Sequence, residues 1–121
     1  LEHRAASVRL IAPPTCKPSA TRFEIRVPGA DANAHYVLAA ILALGYRGVE
    51  KRLEIPCPPS GKGQDVDNKG TRLARSLREA TERFVREGSV AREVFGEEFV
   101  EHFGGTREHE VRVWEEAVTD W

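Results

Sequence analysis

Between residues 6 and 12 the chain alternates, with Ala6, Val8, Leu10 and Ala12 on one side and Ser7, Arg9 and Ile11 on the other. That period of two predicts a strand, and Pro13-Pro14 ends it. Residues 22–27 alternate more strictly: Phe23, Ile25 and Val27 are expected to face a core, and Arg22, Glu24 and Arg26 the opposite side. Pro28-Gly29 stops this second strand. A short polar connection joins the two, so an antiparallel pair is predicted, although such a pair is marginal in water by itself.

The pattern then turns helical. Residues 31–45 predict a helix with Asp31 or Asn33 as N-cap and Gly45 as its C-terminal glycine, with a further turn over residues 46–52. Its centre, residues 37–44, is apolar on every face, which predicts burial all round. Leu53-Glu54-Ile55 reads as a short strand-like run, and residues 56–70, rich in proline and glycine, as a long surface loop. Ser76-Leu77-Arg78-Glu79 is a capping box opening a helix with Leu77, Ala80, Phe84 and Val85 on its stripe and Gly88 as its stop. Ser89 caps a short helix closed by Gly96. Residues 97–103 predict another, broken at Gly104-Gly105, after which Thr106 caps a last helix with Val111, Trp114 and Val118 on one face. Phe84, Phe99, Phe103 and Trp114 stand at helical spacing and read as core or interface. The class predicted is α+β: a short antiparallel strand pair followed by a mainly helical cluster.

Composition narrows the function classes. At 121 residues the chain fits one domain. A net charge of -1, with both signs interspersed, gives no electrostatic case for nucleic acid or an anionic membrane. The longest apolar run is too short to span a bilayer and no signal sequence is evident, so a cytoplasmic setting is expected. Cys16 and Cys57 have no metal-ligand spacing and read as free thiols, a single disulfide being the alternative. The chain opens on Leu1-Glu2-His3-Arg4 and contains no Met, from which we expect a piece of a longer protein.

Candidate chemistry gathers over residues 4–26, where Arg4, Arg9, Arg22 and Arg26 accompany Glu24. Charge alone admits a solvated ladder of salt bridges, each worth about 0–1 kcal/mol. The other reading is anion recognition, because guanidinium forks match carboxylate and phosphate oxygens in bidentate fashion. A glutamate among them suits a divalent cation that also bridges phosphates. Pro59-Ser60-Gly61-Lys62-Gly63 lacks the Gly-Lys-Ser/Thr ending of a phosphate loop and reads as a flexible loop. His3 and His35 stand where they could line a site, whereas His102 and His109 read as solvent-facing or cap-satisfied.

The string Arg4-Ala5-Ala6-Ser7-Val8-Arg9-Leu10, then Arg22-Phe23-Glu24-Ile25-Arg26, then Asp31-Ala32-Asn33-Ala34-His35-Tyr36 resembles the glutamine synthetase family. Ser76-Leu77-Arg78-Glu79-Ala80 and the closing Val118-Thr119-Asp120-Trp121 are similar to that family's C-terminal motifs, so the resemblance covers residues 1–121 as the C-terminal part of a catalytic domain whose N-terminal part is missing. It implies an ATP-dependent ligase that phosphorylates the γ-carboxylate of glutamate and lets ammonia, or another amine, attack the acyl-phosphate. It also implies that Arg4 is catalytic and contacts both glutamate and ATP. Arg9 and Arg22 would hold ATP phosphates, Arg26 the glutamate carboxylate, and Glu24 a divalent metal, Mg²⁺ or Mn²⁺. A homo-oligomer is implied for the full-length protein. Three departures suggest a divergent branch: His3 stands where the family has asparagine, Ala34 where it has proline, and Lys17 is only a weak match for its lysine. Retention of all five charged positions argues against a non-catalytic structural relative.

Overall fold

The computed structural model describes residues 6–12, 14–15, 17–56 and 72–118. They form two compact units, divided between Thr71 and Arg72. Arg4, His3, both cysteines, the loop after Pro56 and the closing Thr119-Asp120-Trp121 lie outside the described residues.

In the first unit, strands β1 (Val8–Ile11) and β2 (Arg22–Ile25) pair antiparallel, with Val8 opposite Ile25, Arg9 opposite Glu24, Leu10 opposite Phe23 and Ile11 opposite Arg22. The connection tightens through a 3-10 turn, Pro18–Ala20, where Thr21 N–H donates to Pro18 C=O at 3.1 Å. One further bond, Arg26 N–H to Ser7 C=O at 2.9 Å, continues the ladder. Because opposed residues share a face, Arg9, Ile11, Arg22 and Glu24 lie on one side and Val8, Leu10, Phe23 and Ile25 on the other. The apolar side was expected to face a core. Among the described residues of this unit no element packs on it, and Phe23 remains 70% exposed.

Helix α1 spans Ala34–Glu50. Asn33, rather than Asp31, is its cap: the side-chain Oδ1 accepts from His35 N–H at 2.9 Å and Tyr36 N–H at 3.4 Å. The helix does not end at Gly45. A helical glycine costs only about 1 kcal/mol, and termination waits for Arg52, which adopts φ 50°. There Arg52 N–H donates to Val49 C=O at 3.2 Å and Leu53 N–H to Gly48 C=O at 3.0 Å, the two bonds of a Schellman cap. Leu53 therefore closes the helix instead of opening a strand, and no strand forms over Leu53-Glu54-Ile55. Nor is α1 enclosed within this unit: neither strand packs against it, and Leu38, Leu42 and Tyr46 are exposed.

The second unit is α2 (Leu77–Val85), α3 (Val90–Phe95) and α4 (Glu97–Glu116). Ser76 Oγ accepts from Glu79 N–H at 3.1 Å, while the reciprocal bond of the box reaches one residue further back, from Arg75 N–H to Glu79 Oε2 at 2.9 Å. Ser89 caps α3 by accepting from Arg92 N–H at 3.2 Å and donates to Phe84 C=O at 2.8 Å. Gly88 and Gly96 take φ 69° and 80° at the two corners.

The predicted break at Gly104-Gly105 does not occur, and α4 runs straight through. Gly104 is buried against α2, where a Cβ would meet Val85 Cγ1 at 2.2 Å. The glycine is thus a notch for close helix packing. Thr106, in mid-helix, donates to Phe103 C=O at 2.7 Å instead of capping a new start. Val100 is fully buried at the centre, and Phe84, Phe95, Phe99 and Phe103 form a chain of ring contacts 5.6–5.7 Å between centroids. Trp114 is 78% exposed.

Candidate functional site

The charged face of the β1–β2 ribbon is where chemistry-bearing side chains meet. The period of two lines up Arg22 and Glu24 along β2 with Arg26 just past its end, and the ladder register adds Arg9 directly across from Glu24. Arg9 Nη2 donates to Glu24 Oε2, and Arg26 Nε lies 3.5 Å from Glu24 Oε1. Both oxygens of the carboxylate therefore face guanidinium. Arg9 is the most sheltered of the three, its side chain 20% exposed against 34% for Glu24 and 36% for Arg26. Its Nε–H is buried without an acceptor among the described residues. Arg22 occupies the same face opposite Ile11 and donates to Ala20 C=O at 3.2 Å. Sequence periodicity groups the β2 residues; only the register recruits Arg9. Arg4 lies outside the described residues.

This arrangement suits oxyanions. Planar forks from two strands converge on one carboxylate and leave a buried donor over. As a cation site it is incomplete: a divalent ion needs several oxygen ligands, whereas Glu24 is one carboxylate with both oxygens engaged. No group of three or more His, Cys, Asp or Glu able to hold a metal occurs among the described residues. By donor chemistry Glu24 fits one ligand of a shared site, and these residues do not close a metal site by themselves.

Lys17 is exposed at the start of the 3-10 turn. His35 is exposed in the first turn of α1. In the helical unit an open groove runs along α4 past His102, Thr106 and His109. Both histidines are exposed, and His109 Nδ1 lies 2.8 Å from Arg112 Nη2. The groove is lined by one helix alone, so it does not make a chemical site.

Ion pairs elsewhere are structural. Arg78 and Glu115 join the start of α2 to the end of α4, with Nε to Oε1 at 3.1 Å, and this bond raises the Arg78 pKa and lowers that of Glu115. Glu79 is also lowered, chiefly by the N–H it accepts from Arg75. Arg92 donates through Nε to Val85 C=O at 2.8 Å and pairs with Glu101 and Glu97. Its pKa is raised, first by Glu101.

Among the described residues no helix is long and apolar enough to cross a membrane. Comparison with known proteins adds what the geometry alone does not. Residues 1–121 match the family described as glutamine synthetase, catalytic domain. The chain is 39% identical over 124 residues to the type-1 glutamine synthetase 2 of Dictyostelium discoideum, covering 100% of this chain and 23% of that protein. It is 39% identical over 121 residues to the glutamate–isopropylamine ligase of a Pseudomonas species, covering 99% of this chain and 26% of that one. To the gamma-glutamylethanolamide synthetase of Streptomyces coelicolor it is 37% identical over 100 residues, 83% of this chain and 21% of that protein. No solved structure matches. The chain thus spans about a quarter of the length of the curated relatives it matches. With a family match along its whole length, the chain belongs to the glutamine synthetase family and represents part of that family's catalytic domain.

Proposed function

We propose that this chain is the C-terminal part of an ATP-dependent ligase joining glutamate to ammonia or to an amine, and that the ribbon's charged face is its contribution to the active site. The observation that carries the reading is the set of guanidinium groups gathered around Glu24 across β1 and β2. In the reaction ATP transfers its γ-phosphoryl group to the γ-carboxylate of glutamate, and the acceptor nitrogen displaces phosphate from the acyl-phosphate. Arg9 and Arg22, with Arg4, hold the phosphates; Arg4 and Arg26 hold glutamate. Several fixed positive charges aimed at one spot stabilise the charge of a phosphoryl group in transfer, and positioning supplies much of the remainder. Glu24 is one ligand of a divalent cation, Mg²⁺ or Mn²⁺, which when bound neutralises phosphate charge. The full-length protein is a cytoplasmic homo-oligomer in this reading.

An amine as acceptor is favoured by one finding. Two relatives named for amine substrates are 37–39% identical to the chain, whereas the glutamine synthetases of Thermotoga maritima and Thermus thermophilus are 29–30% identical. The D. discoideum protein, at 39%, keeps ammonia in contention. Assaying the full-length protein with ammonia, ethanolamine and isopropylamine separates the two.

Glu24→Gln in the full-length protein tests the ribbon's role. It keeps the shape of the side chain and removes the charge. We expect turnover to fall by about a hundredfold or more, with partial recovery at raised Mg²⁺, as when a metal ligand or its supporting partner is lost. If Glu24 only bridges surface arginines, turnover stays unchanged and the melting curve shifts by about 1 kcal/mol or less. Wild-type turnover in a folded Glu24→Gln enzyme refutes the assignment.

A further inference from the structure

The ribbon's single carboxylate accepts from the very groups that give the face its affinity for anions. Glu24 Oε2 takes Arg9 Nη2 across the ladder and Oε1 lies 3.5 Å from Arg26 Nε. A carboxylate spanning two forks offers the same oxygens, with the same charge, as a phosphate or a substrate carboxylate arriving there. Arg9 is held opposite Glu24 by the backbone register, and its side chain is only 20% exposed. Among the described residues its buried Nε–H has no acceptor, so Glu24 satisfies this guanidinium only in part. An anion with more oxygens would satisfy it more fully.

We propose that Glu24 is an internal occupant of the anion site: it fills the forks of Arg9 and Arg26, and an oxyanion binds as Glu24 gives them up. This rests on Arg9 and Arg26 being anion-binding groups, as proposed above. The exchange trades ion-pair partners and breaks no covalent bond. Linkage then fixes its consequence. Whatever draws Glu24 away from the arginines raises anion affinity, and the anion favours Glu24's new partner by the same factor. A cation at Glu24 and an oxyanion at these forks, phosphate at Arg9 or substrate carboxylate at Arg26, thus assist each other, whereas either one alone must first break an ion pair.

The test is a titration of the full-length protein with inorganic pyrophosphate, at low ionic strength and without divalent cation. Binding is followed by calorimetry and by the NMR shifts of the arginine Nε–H groups. Glu24→Gln should bind about five- to tenfold more tightly than wild type, since it removes a competitor held by two partly exposed ion pairs. Glu24→Asp, one methylene shorter and less able to span both forks, should show a smaller gain in the same direction. Glu50→Gln removes the same charge at the end of α1 and should change affinity by less than about twofold, because screening limits distant charges. Equal or weaker binding by both Glu24 variants overturns the proposal, as does an equal gain in Glu50→Gln. If pyrophosphate shifts no arginine Nε–H in any variant, the anion-binding reading falls and this inference with it. Equal shifts and affinities in wild type and Glu24→Gln sink the internal-occupant idea alone.

Discussion

Two adjacent glycines in one helix should respond to the same substitution with opposite sign. Gly104 and Gly105 both lie inside α4, so replacing either with alanine gains about 1 kcal/mol of helix propensity. Around Gly105 a Cβ meets nothing within 4 Å, and the gain stands. At Gly104 the new carbon would lie 2.2 Å from Val85 Cγ1, and the Val85 Cβ behind it, at 3.7 Å, is fixed to a neighbouring helix backbone. A β-branched side chain in a helix has essentially one rotamer to use, so relief must come from moving α2 away from α4. Overpacking of this kind costs about 1–3 kcal/mol, leaving Gly104→Ala about 0–2 kcal/mol less stable than wild type after the propensity gain. The two variants should therefore differ by about 1–3 kcal/mol in urea denaturation followed by far-UV circular dichroism. Removing the obstacle completes a cycle: in a Val85→Ala background Gly104→Ala should become stabilising, with a coupling of about 1–3 kcal/mol. Gly104→Ala as stable as Gly105→Ala, or no coupling to Val85, would refute the notch.

The isolated chain should show no synthetase activity with ATP, Mg²⁺ or Mn²⁺, glutamate and ammonia supplied, since one carboxylate builds no metal cluster. ATP-dependent phosphate release from the pure chain would overturn that expectation. With Phe23, Leu38, Leu42 and Val49 between 58% and 78% exposed, the chain should self-associate and bind a hydrophobic dye, and sedimentation as a compact monomer at high concentration would contradict it. Acid should loosen the helical unit. The folded pKa values of Glu79 and Glu115 lie below the ordinary carboxylate range, so their stabilisation is complete above the unfolded value of about 4.3 and is lost as pH falls through the folded values. Helix content followed from pH 7 downward should drop in that window, and an unchanged acid loss in the double variant Glu79→Gln/Glu115→Gln would refute the cause.

Local signals were the legible ones. Ser76 and Ser89 cap helices as read because a cap is a contact over three residues, and Gly96 stops α3 with a positive φ, whereas α2 ends earlier than Gly88, at Arg86, whose extended ψ of 140° breaks the helix. The same residue type misled wherever its role was tertiary. Gly104 looks like a breaker until Val85, 19 positions earlier by subtraction of their numbers, is placed against it. Gly45 looks like a terminus because nothing in the pattern shows that Arg52 will adopt the left-handed conformation. Amphipathic period told which residues share a face but not what covers it, and so the enclosure expected for α1 and the ribbon is not found. In the candidate site, period two grouped Arg22, Glu24 and Arg26, whereas pairing Arg9 with Glu24 depends on the path of the connection, which composition does not encode.

That register governs which changes of length the ribbon can absorb. Residues inserted between Ile11 and Arg22 lengthen a connection and cost little closure entropy. They leave Arg9 facing Glu24. A single residue added within Arg22–Ile25, between Glu24 and the bond that Arg26 makes to Ser7, has the opposite effect. With side chains alternating every residue, it turns the rest of the strand to the other face unless a bulge takes up the extra residue. Arg26 would then stand on the other side of the sheet from Glu24, while Arg9 and Arg22 keep theirs, with every residue type retained. Across this ribbon, parity of position is inherited along with the residues themselves, and a frame-preserving insertion can strip the carboxylate of one of its two guanidinium partners without substituting either residue.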